Sequence, residues 1–549
     1  MKDNPCLNWY DIFLNVINKE RKQGDPGVTL KQDKITDVLY KHPFSISALL
    51  VFVVLICTGM QIDNNGVCCA VMVLGYLLVT GYGIYLRQTK KLTDEALIVM
   101  IFALGFVLRL GYVLYTGLYT RQHDLGEFIE GKYNLWHSGY LLYVRDNFKI
   151  PDVDVRNFGE FYHPPFHYFV SAVFLRAVDL FVPRGTRNYE TLQAVSMLWT
   201  HFTLIMIYKT AVQLGIKKES RVTAVLIVAA FPAFTQMSAS VNNDILSILL
   251  FFTGFYFGVK WFQEGTWKSI IFAGLAVGFG MMTKLSVGMI AFPVGFLFIV
   301  KLIRDLMNKE DKKAGKKSFL QLVAFGAICA PLGLWFQVRN FILHRVPFTY
   351  VLRSDNIYQD VSKYTPVQRI FGFYGFPIED FFINLGSDGE QDYNIFIAQV
   401  KTALFDAENC RDDFAMSMAG YALLIVFLIL IILSVVGFAY TLITLKKRKT
   451  LWEDLSMAVL AVVQTVSVIS FSLQFPHICS QNFRYSTPFL LCGLVFLLRA
   501  GEIKIPGTKE GASAKFVRGL AVAFMIFAIL FYTILWTYVK GEVTVVDPA

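Results

Sequence analysis

Runs of about twenty apolar residues, the length a helix needs to cross a bilayer, recur along the chain between short polar connections. They fall at 45–62, 66–87, 96–119, 191–213, 220–238, 245–262, 268–283, 287–303, 318–338, 416–445, 455–474, 485–499 and 517–538. The pattern predicts an all-α polytopic membrane protein with about thirteen transmembrane helices. Two gaps between runs are long, 120–190 and 340–415. Inside the first, Phe166 to Val182 is apolar enough to span, yet it follows Pro164-Pro165 and carries Arg176 and Asp179.

Charge decides how that segment is read. If it does not cross, the basic clumps at Arg87/Lys90/Lys91, Lys217/Lys218/Arg221, Lys301 to Lys317 and Lys446 to Lys449 all fall on one side, with the basic amino terminus and the 499–518 loop. If it crosses, the later clumps separate from the first. Because basic loops stay cytoplasmic, Phe166–Val182 is expected to lie along the membrane as part of a large outer loop. The amino terminus is then cytoplasmic, and both long loops are outside. Residues 8–22 place Trp9, Ile12, Phe13, Val16 and Ile17 on one helical face, as a surface helix would. No signal-peptide layout precedes the first run.

Four segments follow: a cytoplasmic amino-terminal stretch with its amphipathic helix (1–44), a two-span hairpin (45–95), a transmembrane core (96–500), and a last span with a short outer tail (501–549). Composition adds little beyond class. With 55% hydrophobic and 17% charged residues, the net charge of +10 belongs to basic loops and points to no nucleic-acid partner. Of eight cysteines, only Cys410 and Cys479 fall in outer loops, either as a disulfide or as two unrelated thiols. None has metal-ligand spacing.

Candidate chemistry gathers where apolar runs end on the outer side. Arg121-Gln122-His123-Asp124 follows the 96–119 run, and a carboxylate kept at a membrane boundary is a functional candidate. Asp124 suits a general base; its other reading is a helix cap. Asn242-Asn243-Asp244 is equally a cap, though three polar residues exceed what capping needs. Tyr162-His163-Pro164-Pro165 opens the membrane-lying helix, placing His163 at its positive end. Lys284 and Arg484 stand in short outer loops where basic residues are not expected. With Arg339-Asn340 and Tyr485 they form a phosphate-binding set, whose other reading is snorkelling to headgroups. Arg109, within an apolar run, is the main exception to charges lying at helix ends.

These residues carry a resemblance. Leu108-Arg109-Leu110, His123-Asp124, Tyr162-His163-Pro164-Pro165, Asn243-Asp244, Thr283-Lys284, Trp335 with Arg339-Asn340, and Arg484-Tyr485 with Pro488 follow one another as in the GT-C glycosyltransferases. The chain resembles, within that class, the bacterial relatives of the protein O-mannosyltransferases and the lipid A aminoarabinose transferase over about residues 96–500. The resemblance implies a GT-C-like fold, Asp124 as the catalytic or acceptor-positioning acid, and Asp244 with the cations organising the donor. Two spans, 45–62 and 66–87, stand ahead of the part that matches.

The expectation is thus an inverting glycosyltransferase of a bacterial plasma membrane, acting at the outer face. It takes a polyprenyl-phosphate-linked sugar and passes the sugar to a glycan, lipid or protein hydroxyl. The catalytic residues are Asp124 and Asp244; His123, Tyr162, His163, Asn243, Lys284, Arg339, Asn340, Arg484 and Tyr485 bind substrate. The sequence assigns no cofactor, though Asp124, Asp244 and nearby imidazoles leave room for a divalent metal. A transporter or lipid flippase is the alternative, and would concentrate charge near the bilayer midplane.

Overall fold

The computed structural model describes residues 43–59, 65–118, 128–134, 136–184, 189–353, 359–373, 392–405 and 414–538. Arg121, His123, Asp124 and Cys410, and the surface helix expected at 8–22, lie outside the described residues. Among the described residues the regular structure is helical, and helices occupy each apolar run. First come α1 (Pro43–Gly59), α2 (Asn65–Gln88) and α3 (Asp94–Tyr115). Thr93 starts α3, its hydroxyl accepting from the Ala96 amide at 3.1 Å, with Asp94 and Glu95 at the positive helix end.

Next are two shorter helices, α4 (Trp136–Asn147) and α5 (Phe166–Val178), packed on each other. At 13 residues α5 is about 20 Å long at 1.5 Å per residue, short of the roughly 30 Å hydrocarbon layer. These two helices and the loop between them have their own apolar core. Tyr140 stacks on Tyr168 and on Phe161, with ring centroids 3.9 and 4.5 Å apart.

The main bundle continues through α6 (Leu192–Gln213), α7 (Lys218–Ala229), α8 (Pro232–Met237), α9 (Asp244–Glu264), α10 (Trp267–Met281), α11 (Ala291–Leu306) and α12 (Lys312–His344). After the short α13 (Pro366–Phe371) and α14 (Ile395–Leu404), it closes with α15 (Phe414–Thr444), α16 (Leu451–Gln474), α17 (Phe489–Ala500) and α18 (Ala512–Tyr538). α9 lies between α6 and α10, α10 runs along α12, and α15 runs along α17 and α18. Eight helices among the described residues are long and apolar enough to cross a membrane. The helices in the windows 45–62, 191–213, 220–238, 268–283 and 485–499 lie outside that set.

Three windows differ from expectation for local reasons. The 220–238 run is broken between α7 and α8, because Pro232 has no amide to continue the helix. Arg109, buried in α3, donates to the Ala229 carbonyl at 2.9 Å and so closes the end of α7. The 268–283 run stops at Met281, leaving Lys284 in extended backbone. The 485–499 helix starts only at Phe489, after Pro488, with residues 478–485 in tight turns. At the bundle end away from Asp244, Arg499 bonds Asp454 and Glu502 at 3.0 Å each, tying α16 to α17.

Candidate functional site

The first residue of α9 is Asp244, 4% exposed. The capping reading applies to its neighbour instead. The Asn242 side chain accepts from the Asp244 amide at 3.0 Å, leaving the Asp244 carboxylate for other partners. Those partners are cations from distant parts of the chain. Lys284 Nζ bonds one carboxylate oxygen, and Arg484 Nε lies 3.7 Å from the other. Tyr485 backs both: Lys284 Nζ and Arg484 Cζ sit 4.6 and 4.9 Å from its ring centroid. The Tyr485 hydroxyl also accepts from Arg484 Nη2 at 2.8 Å. Two pockets meet at this cluster. One is lined by Asp244, Ser247, Lys284, Arg484, Tyr485 and Thr487, the other by Gln236, Asn242, Asp244, Asn482 and Arg484.

Elements converge here because the backbone joins them. The Phe166 amide donates to the Met282 carbonyl at 3.0 Å, docking the start of α5 on the end of α10. Asn243 donates to the Thr283 carbonyl at 3.2 Å, fixing α9 to the same turn. On the other side, α14 grips the Arg484 turn. Thr402 accepts from the Phe483 amide at 2.8 Å, and Gln399 donates to the Gln481 carbonyl at 2.6 Å. Gln481 in turn accepts from the buried Arg369 at 2.7 Å. Lys401 and Asp392, both buried and 2.8 Å apart, secure α14 from below.

His163 is not at the first turn of α5, which begins at Phe166; it bonds Glu160 at 2.9 Å between Nε2 and Oε2. His137 Nε2 lies 3.7 Å from the same oxygen. Tyr162 packs edge-on to Tyr350. Glu160 has φ +61°, the left-handed region, which costs a non-glycine residue on the order of 1–3 kcal/mol. Burial raises the Glu160 carboxyl, but the neighbouring His137, His163 and Lys284 more than offset it and hold it down to about 2. His167 is wholly buried, which pushes its imidazole down to about 3, and both its ring nitrogens lack a hydrogen-bond partner among the described residues.

The expected cations therefore do not act as one set. Lys284 and Arg484 meet on Asp244, whereas Arg339 bonds Asp152 at 3.0 Å, the Pro151 carbonyl at 3.2 Å and Asn340 at 3.1 Å. Glu160, His137 and Tyr168 were not singled out by sequence. Glu160 alone carried a signal, three residues ahead of His163; His137 is brought in by tertiary packing.

These features describe a multi-pass helical membrane protein with a buried carboxylate–cation site where α9, α10 and the turn before α17 meet. Residues 162–335, about a third of the chain, match the Dolichyl-phosphate-mannose-protein mannosyltransferase family. That stretch holds Tyr162, His163, Asn243, Asp244 and Lys284; Arg339, Asn340, Arg484 and Tyr485 follow it. Comparison with curated proteins produced no match. Among solved structures, the oligosaccharyltransferase of Archaeoglobus fulgidus in the apo form is 12% identical, with a TM-score of 0.44 over 81% of this chain and 56% of that one. The present chain thus spans little more than half of that protein. ArnT from Cupriavidus metallidurans in the apo state is 13% identical, with a TM-score of 0.33 over 74% of this chain and 76% of that one. ArnT has also been solved bound to undecaprenyl phosphate, and that form matches with a TM-score of 0.31. At these values the likenesses bear on no individual residue.

Proposed function

We propose that this protein is a membrane glycosyltransferase that moves a sugar from a polyprenyl-phosphate donor to an acceptor hydroxyl at the outer membrane face. The observation that carries the reading is the Asp244–Lys284–Arg484 cluster, within and just beyond a segment matching a mannosyltransferase family. Two cations face one buried carboxylate, so an anion entering the adjoining pocket meets positive charge that Asp244 only partly balances. Arginine and lysine together suit a phosphate, the first as a fork and the second as a point charge. As the glycosidic bond breaks, charge grows on the departing phosphate, and Lys284 and Arg484 stabilise it there. No general acid is needed on that side.

Asp124 takes the proton of the attacking hydroxyl, and attack from the opposite face of the sugar inverts the anomeric centre. This role rests on sequence and on the family resemblance. Asp244 holds the two cations together beside the pocket. Arg109 supplies the strongest sequence argument for a transporter, but its contact with the Ala229 carbonyl provides it with a structural task.

The test uses the full chain reconstituted in lipid with a labelled polyprenyl-phosphate sugar and candidate hydroxyl acceptors. Release of polyprenyl phosphate is expected, with Asp124→Asn slowing it on the order of a hundred- to ten-thousandfold. Release by that variant at the unaltered rate would remove Asp124 from the mechanism, and the absence of release with every sugar and acceptor would overturn the reading.

A further inference from the structure

A second set of polar side chains converges beside the carboxylate–cation cluster, in the loop region between α3 and α6. His137 comes from the first turn of α4, and Glu160 and His163 from the loop leading into α5. His163 Nε2 and His137 Nε2 lie 2.9 and 3.7 Å from the same Glu160 oxygen, and the three donor atoms all fall within 4.8 Å of one another. We propose that His137, Glu160 and His163 form a divalent-cation site, with zinc the ion its donors favour.

The chemistry of the set supports this choice. Two imidazole nitrogens and one carboxylate oxygen suit a borderline cation such as zinc, whereas magnesium and calcium prefer oxygen alone. A hydrogen bond from His163 accounts for one contact to Glu160. It does not account for a second imidazole, from another element, brought to the same oxygen with its ring nearly parallel to the first at 11° and 5.7 Å.

The surroundings are those of a supported ligand. His137 Nδ1 lies 2.6 Å from the Tyr168 hydroxyl, a contact that orients the ring with Nε2 toward Glu160. Tyr168 is buried and stacked on Tyr140, so the support is itself fixed. The left-handed backbone at Glu160 holds the carboxylate between the two imidazoles. Three protein donors leave a position of a tetrahedral ion for a water or substrate oxygen. The Phe166–Met282 bond sets this site next to Lys284, yet ion binding does not depend on the glycosyltransferase reading.

The full chain is purified in detergent, stripped with a chelator and titrated with Zn²⁺ alone by calorimetry. One equivalent per chain is expected. His137→Ala with His163→Ala should weaken binding more than a hundredfold, and Tyr168→Phe about tenfold. Size-exclusion elution and thermal unfolding without zinc establish that each variant is folded. If the double variant is not, Glu160→Gln and Tyr168→Phe carry the comparison. No saturable zinc uptake by the unaltered chain would overturn the site, as would uptake unchanged in the folded variants. Either result would leave the glycosyl-transfer assay unaffected.

Discussion

Asp244, Lys284 and Arg484 show why the identity of a residue says less than its partners. A buried carboxylate without a counter-charge is costly, and removing one partner of such a pair costs on the order of 3–5 kcal/mol. Each cation should therefore serve both stability and donor binding. Lys284→Ala and Arg484→Ala are expected to raise the donor KM about ten- to a hundredfold, the worth of one charge-assisted contact. Arg339→Ala should change it far less, because Arg339 is turned to the exposed Asp152, and such surface pairs are worth roughly 0–1 kcal/mol. Equal effects for all three in donor-titration kinetics would contradict the separation of Arg339 from the other two. The sequence made Lys284 and Arg484 conspicuous because they break the orientation rule for short loops. It could not separate Arg339 from them, because that depends on which way a side chain turns at a helix end. His137 was illegible for the same reason: nothing in its neighbours distinguishes a histidine that meets Glu160 from one that faces lipid.

Among the elements, periodicity and length located the helices, while their interruptions proved more informative than their extents. The break at Pro232 was visible as a proline inside an apolar run, but its use as the receptor for Arg109 was not. The same break brings α3 and α7 into backbone contact. A β-carbon on Gly105 would overlap the Ala229 carbonyl, so only glycine allows the approach. Gly105→Val should lower thermal stability in detergent by at least 1–3 kcal/mol equivalents, the usual cost of overpacking; an unchanged unfolding midpoint would show that α3 and α7 do not touch there. α14 offers a second prediction. Thr402→Val leaves the Phe483 amide without its acceptor, an omission of about 1–3 kcal/mol when buried. The loss should appear as a higher donor KM with the fold retained, because the amide belongs to the turn that presents Arg484. A variant with unaltered kinetics would mean that α14 does not position that turn.

For the molecule as a whole, hydropathy and basic clumps led to the many-helix architecture without any single residue being decisive. The sidedness they imply is a separate and testable matter. α5 is expected from charge parity to lie along the membrane, so single cysteines at Asn147 and Arg184, on either side of it, should react with an impermeant thiol reagent from the same side of intact cells. Replacement of the native cysteines removes the background. Labelling of the two from opposite sides would restore a crossing helix and invert every later loop. The carboxylate–cation site belongs to the bundle, whereas the imidazole cluster belongs to the small helical layer on top of it, with an aromatic core of its own.

That layer is joined to the bundle by the Phe166 amide and the Met282 carbonyl. Pro164 and Pro165 have no amide hydrogen, so Phe166 is the first residue after them that can donate. The two prolines thus work as a ruler. They count off a fixed length of silent backbone between His163 and the anchoring bond, and the count is independent of the side chains at either end. Adding or deleting one residue between His163 and Phe166 would shift the imidazole by a residue's length while the anchor stayed in place. The bond is made by backbone atoms alone, so it constrains the spacing rather than the identity of the side chains at 166 and 282.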